Sequence, residues 1–116
     1  MKIFKITEPV FKTEPLFVID CSFDQFTRYM KKSYHCPTGE NLGQSGQMFT
    51  FSKAPWRVVW VEKNKFVLLH EIFHLVTRIC QDKGVPIISQ MEHGCGDETA
   101  AYLYEFFARR ALKRIK

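Results

Sequence analysis

From Lys65 to Lys83 the chain has no glycine or proline, and Leu68, Leu69, Ile72, Leu75, Val76 and Ile79 recur at helical spacing. Only a helix gathers those side chains on one stripe. Asn64 suits its N-cap, Gly84 stops it and Pro86 prevents it from resuming. On an adjacent stripe stand His70 and His74, within the run His70-Glu71-Ile72-Phe73-His74. Side chains at i and i+4 lie one above the other on a helix face, so both imidazoles can reach a single cation. Glu71, one step around the turn, need not ligate that cation and can take a proton from metal-bound water. The plainer account, two histidines on an amphipathic helix, leaves a carboxylate beside an apolar stripe without a purpose.

The 116 residues, 46% of them hydrophobic and 11 of them Phe, predict a single domain over 1–116 with an aromatic-rich core. No run of 18 apolar residues exists, so no membrane span is expected. The start, Met1-Lys2-Ile3-Phe4-Lys5, lacks the apolar region of a secretory signal, which predicts action in the cytoplasm. The four cysteines form no C-x-x-C pair and are expected as thiols, with Cys21 and Cys80 buried. His35-Cys36 and His93-Gly94-Cys95 hold four soft ligands that a second, structural zinc could use. Their spacing matches no specific zinc pattern, and loop residues are the simpler expectation.

Elsewhere, Leu16–Ile19 reads as a buried strand and Ser22 with Gln25 as a capping box opening a helix over Phe23–Tyr34. Phe23, Phe26 and Met30 form that helix's apolar stripe. Pro37 to Gly46 reads as a loop, followed by strands over Gln47–Ser52 and Trp56–Glu62. Asp97 suits the cap of a last helix with Ala101, Tyr104, Phe107, Ala108 and Leu112 turned to the core. The order β-α-β-β-α-α predicts an α+β fold, a small antiparallel sheet with about three helices packed on one side.

A catalytic zinc site needs three protein ligands and one open position. Downstream of the two histidines the candidates are His93, Asp97 and Glu98. Glu98 opens the run Glu98-Thr99-Ala100-Ala101-Tyr102, where small residues allow close helix approach and the helix dipole favours an acid. Asp97 would then cap the helix or orient a ligating imidazole. His93 would instead complete an all-histidine triad.

His70-Glu-x-x-His74 followed by Asp97-Glu98-x-x-Ala101-Tyr102 resembles the minimal gluzincin pattern, and more narrowly the short metallopeptidases encoded by phages and prophages. The resemblance covers roughly Val58 to Phe107. It implies a zincin-like active-site helix, zinc held by His70, His74 and Glu98, Glu71 as general base, a peptide or protein substrate, and Trp56–Glu62 as the substrate-binding edge strand. It also implies a bacterial host cell as the setting. Larger gluzincins carry an acid four residues after the third ligand, where this chain has Tyr102. Tyr102 shares a helix face with Glu98, so its hydroxyl could assist the reacting carbonyl or only plug the cleft floor.

The net charge is +5, with Arg109, Arg110, Lys113, Arg114 and Lys116 near the C-terminus. Cations at a helix end complement its dipole, and no nucleic-acid motif accompanies them, so nucleic acid is not the expected partner. Two functions of different class follow: a zinc-dependent metallopeptidase, or a catalytically inactive, metal-stabilised binding protein for a protein or nucleic-acid partner.

Overall fold

A computed structural model describes the backbone of residues 1–85 and 95–115, with side chains in the last helix from Glu98 onward. Four strands, β1 (Lys2–Lys5), β2 (Leu16–Ile19), β3 (Gly46–Thr50) and β4 (Arg57–Val61), form one sheet in the order β1-β2-β4-β3. Three helices accompany it: α1 (Phe23–Tyr34), α2 (Lys65–Asp82) and α3 (Cys95–Leu112).

The two central strands are apolar on both faces because both faces are covered. Phe17, Ile19, Val59 and Val61 pack with α2 and α3, while Leu16, Val18, Val58 and Trp60 pack with Phe26 and Met30 of α1. The expected α+β class therefore holds, with two corrections. Helices cover both sides of the sheet, since α1 lies opposite α2 and α3. The sheet is mixed: β1–β2 and β3–β4 are antiparallel, but β2 and β4 run parallel, Leu16 opposite Val58 and Ile19 opposite Val61. The connection from β2 through α1 and β3 is long enough to return the chain in the same direction, which a hairpin cannot do.

Helix α1 starts where the capping box requires, with Ser22 Oγ accepting from the Gln25 N–H and Gln25 Oε1 accepting from the Ser22 N–H. Trp60, 1% exposed, donates its indole N–H to the Cys21 carbonyl at 3.1 Å and lies against Phe23 and Phe26. Truncating a side chain so enclosed would cost about 3–5 kcal/mol. Cys21, Cys36 and Cys80 are buried free thiols, and burial pushes Cys21 up to about 11.

Strand β1 escaped the sequence reading because only Phe4 of its four residues is buried, so it lacks an apolar alternation. The loop after it is built on a buried carboxylate. Glu8, 0% exposed, accepts N–H groups from Val10 at 2.9 Å and Phe11 at 2.6 Å.

Helix α3 begins two residues before the expected Asp97 cap, so Asp97 stands inside its first turn. Its buried stripe is Leu103, Phe107, Ala108 and Ala111, while Ala101 is exposed and Tyr104 and Leu112 are half-buried. His93 and the side chains of Cys95 and Asp97 lie outside the described residues. No described helix is long and apolar enough to cross a membrane.

Candidate metal centre

Helix α2 buries Leu68, Ile72, Leu75, Val76 and Ile79 against the sheet and α3, and this choice of face places the histidines. Asn64 caps its start by accepting the Phe66 N–H at 2.8 Å. Its end is closed by the Val85 N–H donating to the Cys80 carbonyl at 2.8 Å, with Gly84 at φ +69° supplying the left-handed turn.

His70 and His74 are both exposed and converge, with their Nε2 atoms 3.1 Å apart and their rings nearly perpendicular at 80°. With Zn–N bonds of 2.0–2.1 Å, two neighbouring vertices of a tetrahedron lie about 3.3 Å apart. The pair therefore fits two adjacent ligand positions of one zinc ion.

Glu71 lines one cleft with both histidines, packs against the start of β3 and is 7% exposed. Burial raises its pKa above the ordinary carboxylate value; His70, His74 and a hydrogen bond from the Met48 backbone N–H pull in the opposite direction. The strand comes this close because its first residue is Gly46. A Cβ there would stand 2.6 Å from Val67 Cγ1, 3.1 Å from the Trp60 carbonyl and 3.3 Å from Glu71 Cγ. Gly46→Ala should therefore push β3 off α2, cost about 1–3 kcal/mol in urea unfolding and disturb the Met48–Glu71 bond. Parental stability in that variant would show that the strand yields without cost.

Strand β4 is enclosed between β2 and β3, so the edge strand implied for Trp56–Glu62 is a further correction. Among the described residues, the outer strand beside the histidines is β3. A cleft of about 360 Å³ opens there, with Gln44, Gln47 and Met48 on the strand side and His70, Glu71, His74 and Arg78 on the helix side.

Glu98 is exposed in the first turns of α3. The stripe through Leu103, Phe107 and Ala111 fixes the rotation of α3, and Glu98 and Tyr102, four residues apart, share a different face. Among the described residues, no group of three His, Cys, Asp or Glu side chains gathers around a metal position. Tyr102 is 39% exposed, and its hydroxyl donates to Glu8 Oε2 at 3.2 Å, tying α3 to the loop after β1. Loss of hydration and the Glu8 charge both raise its pKa.

Sequence reasoning missed Glu8, Gly46, Arg78 and the edge position of β3. Gly46 was legible only as the last glycine of a loop, and Glu8 carried no signal at all. The chain matches no protein-family model, no curated protein and no solved structure.

Proposed function

We propose that this chain is a zinc-dependent metallopeptidase whose active-site helix is α2. The observation that carries the reading is the convergence of the two Nε2 atoms at 3.1 Å, with Glu71 buried beside them against β3, an outer strand among the described residues. His70 and His74 would hold the ion, and Glu98, on the helix that packs against α2, is the proposed third ligand. A bound zinc would supply Lewis acidity toward a carbonyl and an activated water.

The chain's own groups would do the rest. The peptide would lie along β3, its backbone pairing with the outward N–H and C=O groups of that strand, which pair with no other strand among the described residues. Glu71, kept in place by the Met48 N–H, would accept the proton of the attacking water and return it to the leaving amine. A carboxyl whose pKa is raised toward working pH is suited to both halves of that transfer.

The second reading, a metal-stabilised binding protein without turnover, draws on the absence of a third ligand gathered among the described residues. Chelation separates the two. Purified protein incubated with a peptide mixture and read by mass spectrometry should cut it, stop on chelator and resume with added zinc. Zinc-dependent melting without any cleavage would favour the binder.

A further inference from the structure

A basic surface runs from the β1 edge of the sheet across the end where β2 and β4 begin, and shares no lining residue with the histidine cleft. Beside β1, a cleft of about 310 Å³ is lined by Lys5, Thr7, Arg110, Lys113 and Arg114 over the Phe4 ring, and no carboxylate lines it. Two of its cations are held by rings instead of acids. Arg114 sits 4.7 Å from the Phe4 centroid and Arg110 3.6 Å from that of Phe106. Their charges are thus positioned and have no ion-pair partner among the described residues.

Lys5 also lines a second cleft of about 550 Å³, which continues past Lys12 to Trp56 and Lys83. Two acids stand in this cleft, and each has a cation: Glu14 lies 3.8 Å from Lys5, and Asp82 pairs with Arg57. Lys12 and Lys83 have no ion-pair partner among the described residues. Trp56 is 58% exposed, whereas Trp60 is 1% exposed. An indole exposed on a cation-lined wall offers a flat face on which a planar ring can stack.

We propose that this surface binds single-stranded nucleic acid, with phosphates over Lys5, Arg110, Lys113 and Arg114 and a base stacked on Trp56. An acidic peptide could use the charges but offers no ring for the indole. A duplex hides its base faces and could likewise use only the charges. A cation-lined groove joined to an aromatic platform is the pairing that a single strand rewards. Sequence alone placed the cations at a helix end, because nothing in it shows that β1 brings Phe4 and Lys5 against α3.

The test is fluorescence anisotropy of the full chain with a labelled oligothymidylate of about 16 nucleotides, within the site size of single-strand binders. Four phosphate contacts predict a log–log salt slope of roughly −3. The Lys5→Gln/Lys113→Gln double variant, which leaves both ring-packed arginines in place, should reduce the slope by about 1.4. Trp56→Ala should weaken binding about 5- to 100-fold at unchanged slope. Absence of binding at about 50 mM salt would overturn the proposal. So would equal competition by polyglutamate or duplex DNA, or a Trp56→Ala variant that binds like the parent.

Discussion

Glu71→Gln is expected to keep its zinc and lose peptide hydrolysis by about 10²- to 10⁴-fold, the usual worth of a general base. The substitution is a sharp instrument because so little else changes. The amide is the same size, its carbonyl oxygen can still accept the Met48 N–H, and the two imidazoles stand on the exposed stripe of α2. What disappears is the ability to take a proton. Stability should move the other way. Burial raises the folded pKa of Glu71, so its proton is bound more tightly in the folded state. Its stabilising share is complete below the unfolded value and is lost as pH rises through the folded one. As pH rises past the ordinary carboxylate range, the buried charge therefore becomes a burden on the metal-free protein. The glutamine variant, measured after chelation, should melt a few degrees higher, in keeping with about 1 kcal/mol for a domain of this size. Parental turnover in the variant would end the general-base role. Loss of zinc together with a lower melting point would make Glu71 a structural residue.

What the sequence discloses here depends on how local the cause is. The capping box at Ser22, the Asn64 cap and the stop at Gly84 are each decided within a few residues, and helices α1 and α2 fall at their expected positions. The pairing of His70 with His74 is equally local, since one helix turn sets it. The parallel pairing of β2 with β4 is not local, because either hand of pairing satisfies the same apolar run. The edge position of β3 follows from that pairing, so the strand implied for substrate binding was displaced by one place. Helix α3 is the instructive miss. Its first turn holds small and acidic residues that fit several rotations, and the rotation is chosen by Leu103 and Ala111 meeting the core instead of Ala101. That choice decides where Glu98 and Tyr102 lie. Glu8 could not be found at all: a carboxylate buried to organise its own loop looks, in sequence, like any surface acid.

His74→Ala is expected to abolish stoichiometric zinc while leaving the metal-free fold intact. His74 is exposed, and its described partners are His70 and the ring of Phe73, so its loss should change chelated-state stability by no more than about 0.5 kcal/mol. The metal, by contrast, would lose one vertex of the proposed three-ligand site. That should weaken zinc on the order of 10²- to 10³-fold, since ligand bonds supply most of the binding free energy in such sites. The same contrast locates the third ligand. Glu98 is exposed, so Glu98→Ala should also fold normally and lose zinc to a similar degree. To do so in the parent, its carboxylate must be drawn to the imidazole pair when the ion enters. The helix that carries it already packs against α2, so the required movement lies in the first turn of α3. Zinc retained by Glu98→Ala but lost by His93→Ala would pass the third position to His93 and make the triad all-histidine. Full zinc content in all three variants, His74→Ala included, would mean that the imidazole pair is only a hydrogen-bonded surface feature, and the peptidase reading would fall with it.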